Sequence, residues 1–273
     1  MSRVTSAVLV SCALVTGWAM PAHAIFNNGG FELNSYTGWT IAGGTNPGLA
    51  GAPPFTSASV QIVGAAPGPA SIVTTTTDPR APGIALPRVG TYTAKVNDES
   101  TGALLTKLVQ TDVVTNADID PGDGQPHIRF AFAPVMDDPG HSPDEQPYFY
   151  VGVRKVSDNS ILFEKFAYSG QPGVNFQQGT GSWKYLPFQD VDIPLPANAV
   201  GEQIELTVIA SDCSLGGHGG YVYVDGFGSG RVGNSGNGGA GSATPLPALD
   251  ATGLLLLAGV LGLVGWQAAR RTV

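Results

Sequence analysis

Cysteine is nearly absent: the 273-residue chain has two, Cys12 and Cys213. Cys12 lies in an N-terminal apolar segment expected to be removed, so an intramolecular disulfide is excluded from the rest. A domain large enough to build its own core does not need one. Cys213 reads as a buried small hydrophobe or inert thiol, with a nucleophile or an intermolecular bridge as the alternatives. Charge is also scarce, at 12% of residues, and bases are outnumbered by acids, 13 to 21, for a net charge of −8. Nucleic-acid binding needs a basic footprint, and this balance argues against it. It is compatible with Ca²⁺, which takes oxygen ligands. Catalytic signatures are missing as well: the sequence contains no G-x-S-x-G, H-E-x-x-H or phosphate loop. The run Gly216-Gly217-His218-Gly219-Gly220 lacks a following Lys-Ser/Thr and any helical pattern. A non-catalytic protein is expected. Acid pairs such as Asp137-Asp138 keep a secreted glycan-acting enzyme as an alternative, because glycosidases use carboxylates about 5–9 Å apart.

Glycine (38) and proline (21) are plentiful. They punctuate short aromatic and β-branched runs, which favours a turn-rich β domain over disorder. Candidate strands are 37–42, 58–64, 91–96, 103–111, 127–133, 147–156, 161–168, 183–193, 203–211 and 220–225. Several alternate with period two. Ile204, Leu206, Val208 and Ala210 share one face, against Gln203, Glu205, Thr207 and Ile209 on the other. Ile128, Phe130 and Phe132 share a face, and Val222 and Val224 oppose Tyr221, Tyr223 and Asp225. About ten strands without helical patterning imply an all-β jelly-roll β-sandwich. The charged stretch 136–146 and the proline-containing stretch 76–89 read as loops.

The two ends are apolar. Residues 1–24 have Arg3, an apolar run over 7–19 and Ala22-His23-Ala24, which read as a signal peptide cut before Ile25. Residues 228–249 read as a Gly/Ser/Pro linker. Residues 250–269 read as a transmembrane helix with Trp266 at the interface, and 270–273 as a basic cytoplasmic tail holding Arg270 and Arg271. An exported, surface or extracellular location follows, anchored at least transiently by the helix. Signal peptidase and a membrane protease that sorts or anchors the chain are the implied partners. The tail TPLPALDATGLLLLAGVLGLVGWQAARR resembles exosortase-type C-terminal sorting signals of the IPTL class.

Asn27-Asn28-Gly29-Gly30-Phe31-Glu32 with Gly38-Trp39-Thr40, then Gly90-Thr91-Tyr92-Thr93-Ala94 with Leu108-Val109-Gln110, then Tyr223-Val224-Asp225-Gly226 resemble the galactose-binding-like jelly-roll domains of secreted bacterial proteins. Residues 25–227 would form that domain. Over 104–225 the stretches Asp138-Pro139-Gly140-His141 through Glu145-Gln146-Pro147-Tyr148-Phe149 and Asp212 through Tyr221 are similar to uncharacterised surface modules of the choice-of-anchor type. Such modules often carry a second cysteine after the closing aspartate, where this chain has Gly226-Phe227-Gly228. The jelly-roll resemblance implies a structural Ca²⁺ held by Glu32 and Asp225, with backbone carbonyls near Gly29, Gly30 or Asn34 completing its shell. Both acids facing solvent or capping turns is the alternative.

His141 and His218 sit in Gly/Pro-bounded loops beside acids. With Asp138 and Asp212 they would make a transition-metal site if the loops meet; hydrogen bonding to neighbouring loops and ligand contact are the other options. Aromatics such as Trp39, Tyr148, Tyr150, Trp183 and Tyr221 either fill the core or offer a sugar-stacking platform. Tyr221 or His218 near Trp39 is the expected ligand-binding spot. Two functions remain: a structural or adhesive surface or matrix protein that self-associates, and a calcium-dependent module binding an envelope or matrix polysaccharide.

Overall fold

The computed structural model describes residues 25–66, 68–228 and 230. The expected signal peptide, the transmembrane helix with its basic tail, and nearly all of the linker lie outside the described residues. Among the described residues no helix is long and apolar enough to cross a membrane.

The described chain forms twelve strands: β1 (Thr40–Thr45), β2 (Ala70–Val73), β3 (Thr93–Val96), β4 (Leu104–Val113), β5 (His127–Asp137), β6 (Tyr148–Lys155), β7 (Ile161–Tyr168), β8 (Gln177–Gln178), β9 (Trp183–Tyr185), β10 (Gln189–Pro194), β11 (Gln203–Ser211) and β12 (Gly220–Gly228). One sheet has the order β1-β4-β11-β6-β7. The other runs β2-β3-β12-β5-β9-β8, with β10 also paired to β5. All pairings between strands are antiparallel. Within this pattern β3-β12-β5-β10 faces β4-β11-β6-β7, and the chain passes between the sheets in jelly-roll order.

Alternation explains the core. Ile128, Phe130 and Phe132 of β5, Ile204, Leu206, Val208 and Ala210 of β11, and Val222 and Val224 of β12 are buried together between the sheets. Their neighbours in sequence face outward, yet many are buried too, because loops cover both outer faces. On the seven-stranded sheet, Ala81, Ile84 and Leu86 pack over Ala133, Val135, Trp183, Tyr185, Tyr221 and Tyr223. On the five-stranded sheet, Leu49 and Phe55 pack over Leu105, Tyr148 and Ile209.

Three expected strands differ in detail. Residues 58–64 form no strand: a short 3-10 turn (Ser57–Ser59) and a single bridge from Val63 to Thr45 lay this segment against the outside of the sheet. The expected strand 183–193 divides into β9 and β10 around Leu186-Pro187-Phe188. Strand β5 runs past 133 through Pro134, at the point where its partner on one side changes from β10 to β9. A residue with no N–H is tolerated where the ladder is already interrupted.

The outer end of β5 carries an ion-pair cluster. Arg129 Nε donates to Asp192 Oδ2 at 2.8 Å and its Nη2 to Asp120 Oδ2 at 2.6 Å. The His127 ring lies between Asp192 and Asp123, with Nε2 at 2.9 Å from Asp123 Oδ2. Burial alone would lower the His127 pKa; the hydrogen bonds to Asp192 and Asp123 outweigh it, and the pKa is raised. The charged imidazole therefore stabilises the fold fully below the unfolded pKa of about 6.5, and the contribution fades as pH rises through the higher folded value. Melting temperatures measured from about pH 5 to 8.5 should show this decline in the parent chain. In His127→Gln it should be smaller; an unchanged decline would assign it to other groups.

Candidate functional site

The outer face of the five-stranded sheet is covered at one end by Leu49 and Phe55 and left open beyond them. There the strands form the floor of a groove of about 660 Å³, and the segment from Ser57 to Ile62 forms a wall. Pairing register sets the floor in rows. Lys107, Ile209 and Tyr150 lie side by side on β4, β11 and β6. Thr207, Gly152 and Glu164 form the next row, and Glu205, Arg154 and Ile161 the one after.

Tyr150 is the aromatic of the groove. Its ring packs on the Leu105–Ile209 cluster and extends along β6 over Gly152, two residues on and on the same face. A Cβ at position 152 would stand 2.0 Å from the Tyr150 hydroxyl oxygen, so glycine is what lets the ring lie flat on the strand. Burial raises the phenol pKa, and the charges of Glu164 and Glu205 add to this against the opposing Arg154. The phenol is therefore a neutral donor at physiological pH.

Polar groups flank the ring in fixed positions. Arg154 Nε donates to Glu205 Oε1 at 2.9 Å, and the Ser57 hydroxyl donates to Glu164 Oε2 at 2.7 Å. The groove thus offers an apolar ring with carboxylate acceptors and cationic donors on either side. A sugar needs that mixture, with C–H surface for the ring and hydroxyls that both donate and accept.

The expected site residues lie elsewhere. Trp39 is 8% exposed, its Nε1 donates to the Asn28 carbonyl at 3.2 Å, and it stacks on Phe31 at 5.3 Å. Tyr221 is 1% exposed and donates its hydroxyl to Asp78 Oδ2 at 2.7 Å, with Lys95 Nζ 3.9 Å from its ring centre. The two rings belong to different clusters, and neither has a free face for a sugar. The expected ligand-binding spot placed Tyr221 or His218 beside Trp39; Tyr221 packs instead inside its own cluster. The cause is the loop over the seven-stranded sheet, which converts an outward-facing tyrosine into a core residue.

Glu32 and Asp225 both grip the segment leading into β3. Asp225 Oδ2 accepts the N–H groups of Arg88 and Val89, each at 3.0 Å, and the Thr93 hydroxyl at 2.9 Å. Burial pushes its carboxyl up to about 7 against these hydrogen bonds, and Oδ1 is buried without a hydrogen-bond partner among the described residues. Glu32 is exposed and accepts from the N–H groups of Thr91 at 3.0 Å and Tyr92 at 3.3 Å. In this geometry the two acids clamp a loop through N–H donors.

The loops carrying His141 and His218 do meet: the half-buried rings stand edge to face with centroids 5.0 Å apart. The acids expected beside them face other partners. Asp138 pairs with Lys184 at 2.8 Å. Asp212 is fully buried, accepts from Asn97 Nδ2 at 2.9 Å and Leu104 N at 3.0 Å, and is pushed by burial up to about 7.

Sequence reasoning singled out neither Lys107, Arg154 and Glu164 nor the Ser57–Ile62 wall. A signal was present, since Glu205, Thr207 and Ile209 already fell on the β11 face opposite the core.

No family model matches the sequence, and no curated protein matches it. Among solved structures, the chain is similar to the enzymatically active domain of bacteriophage CBA120 tailspike protein 4, at 9% identity and TM-score 0.34, covering 75% of this chain and 21% of that one. The chain thus spans about a fifth of that protein. It is similar to CBM27-1 of Caldicellulosiruptor saccharolyticus, solved with mannohexaose, at 13% identity and TM-score 0.33, covering 61% and 84%. It is also similar to the non-crystalline cellulose specific carbohydrate-binding module CBM28, at 12% identity and TM-score 0.34, covering 76% and 93%. All three are remote likenesses.

Proposed function

We propose that this chain is a non-catalytic glycan-binding β-sandwich module of an exported protein, and that the glycan lies in the groove over β4, β11, β6 and β7. The observation that carries this reading is the Tyr150 ring laid over Gly152 between the Arg154–Glu205 pair and Glu164. The groove is open, so it takes a polysaccharide segment running through it more readily than a small molecule enclosed on all sides. Export rests on the composition of residues 1–24, and a polysaccharide of the envelope or surrounding matrix is the ligand that suits this address.

A glycan array probed with the purified chain is the test, with the supernatant assayed for released reducing ends. Selective binding without release is the expected result, unaltered by chelator, since Glu32 and Asp225 do not line the groove. Absence of binding by a folded, monodisperse sample would move the function to self-association or protein contact. Release of sugar would overturn the non-catalytic part and turn attention to Glu164 and Glu205 as a carboxylate pair.

A further inference from the structure

Three groups of a metal-binding kind converge where the loop after β5 meets the turn between β11 and β12. His141 comes from the loop after β5; Cys213 and His218 come from the turn between β11 and β12. One ligand atom from each lies within 4.8 Å of the other two. Cys213 Sγ and His218 Nδ1 are 3.6 Å apart. Around a tetrahedral zinc with Zn–S of about 2.3 Å and Zn–N of about 2.0–2.1 Å, a sulfur and a nitrogen ligand stand about 3.5 Å apart. That pair already has the spacing of two ligands on one ion, and His141 has to close by at most about 1.5 Å to join them.

The surrounding backbone holds the three residues in place. Cys213 N donates to the His218 carbonyl at 2.9 Å and Gly216 N to the Cys213 carbonyl at 3.0 Å, which folds the turn so that positions 213 and 218 face each other. Gly216 has φ +75°, a left-handed conformation suited to glycine. Ser214 N donates to the Glu145 carbonyl at 3.0 Å and Asp137 N to the Gly219 carbonyl at 3.0 Å, tying the two loops together. Gln146 Nε2 donates to the His141 carbonyl at 3.1 Å and braces that loop from within. Cys213 is fully buried, whereas both histidines are half-buried, so the cluster is rooted in the core and reachable from the surface. His141 Nδ1 is buried with no hydrogen-bond partner among the described residues. A buried polar atom left unpaired is costly, and with the ring proton on Nε2 this nitrogen presents a lone pair suited to a cation.

We propose that His141, Cys213 and His218 form a binding site for a zinc-class divalent transition ion. A thiolate with two imidazoles is a soft, nitrogen- and sulfur-donor set that selects zinc, cobalt or copper over calcium and magnesium. Binding replaces the thiol proton, which leaves to solvent, and the imidazoles ligate in their neutral forms. Three protein ligands leave one tetrahedral corner for water or a ligand from outside. The ion staples the loop after β5 to the β11–β12 turn in a chain whose described part has no second cysteine for a disulfide. The site is independent of the glycan groove and stands or falls without it.

The test uses the full chain, freed of metal with chelator, and titrates it with Zn²⁺ and with Co²⁺. One equivalent of either ion is expected to bind. The Co²⁺ form should show tetrahedral d–d bands and a thiolate-to-cobalt charge-transfer band in the near ultraviolet. Zn²⁺ should raise the melting temperature, with chelator reversing the rise. Outer-shell partners alone are worth about 10–100-fold in affinity, so His141→Ala and His218→Ala should each weaken binding by at least about 100-fold. Cys213→Ser should abolish the charge-transfer band. Because Cys213 is buried and its variant can fail to fold, the band on the unaltered chain tests thiolate ligation by itself. No saturable uptake, a cobalt spectrum without that band, or uptake unchanged in both histidine variants would overturn the proposal.

Discussion

Asp78→Ala should lower the stability of the domain by about 3–5 kcal/mol, a drop of roughly 10 °C in melting temperature for a domain of this size. Asp78 is buried, and its side chain holds four donors. Oδ2 accepts the hydroxyls of Tyr221 at 2.7 Å and Tyr223 at 2.6 Å, and Oδ1 accepts the N–H groups of Arg80 at 2.6 Å and Ala81 at 2.9 Å. Burial first, and then the Asp78 carboxylate (by its charge at Tyr221 and by its hydrogen bond at Tyr223), raise the pKa of both phenols, which keeps them protonated as donors. Alanine leaves two buried hydroxyls without their acceptor and unties the loop that covers the seven-stranded sheet. Each buried polar group stranded in this way costs about 1–3 kcal/mol, while exchanging both partners for apolar ones costs much less. Adding Tyr221→Phe and Tyr223→Phe to Asp78→Ala should therefore recover part of the loss. Thermal melts of the single and triple variants check this; an Asp78→Ala melt within about 2 °C of the parent would show that the loop is held by packing alone.

Tyr150→Ala should reduce glycan affinity by about 30-fold or more, with the melting temperature changed far less than in Asp78→Ala. Central aromatic anchors typically contribute 2 kcal/mol or more to binding, and each 1.4 kcal/mol is a factor of ten. Tyr150 is half-buried at the edge of its cluster, so its loss costs some packing without opening the core between the sheets. Gly152→Ala is the sharper variant. It keeps the tyrosine and adds one methyl group where the phenol lies, so the ring must lift from the strand. Its affinity should fall toward that of Tyr150→Ala. Isothermal titration with the best glycan from the array reads both, and wild-type affinity in Gly152→Ala would mean that the flat ring is not the platform.

The sandwich was legible because its inner faces obey simple alternation. The sets Ile128-Phe130-Phe132 and Ile204-Leu206-Val208-Ala210 could be assigned to one face each without knowing what lay opposite. The outer faces were not legible in the same way. Whether an outward tyrosine is exposed depends on which loop folds across it, and that depends on contacts distant in sequence. Tyr221 and Tyr150 both stand outward on their strands. Asp78, 143 residues away from Tyr221, brings a loop over the first, while the segment from Ser57 to Ile62 stops beside the second and leaves it open. The stretch 58–64 has the composition of a strand, yet it is used as a groove wall. Its apolar residues Ile62 and Val63 remain exposed, and its backbone makes a single bridge. The histidine loops show the same limit: their meeting needed the fold, and so did the choice of Cys213, rather than Asp138 or Asp212, as the third group beside them.

Hydrogen exchange of the chain with and without a saturating oligosaccharide tests the binding groove most directly. Slowed exchange confined to the wall at 57–62 and to the β6 and β7 segments that form the floor is the expected result. Protection centred on 138–147 and 212–219, or no change at a concentration that saturates binding, would place the glycan elsewhere and contradict the assignment of the groove.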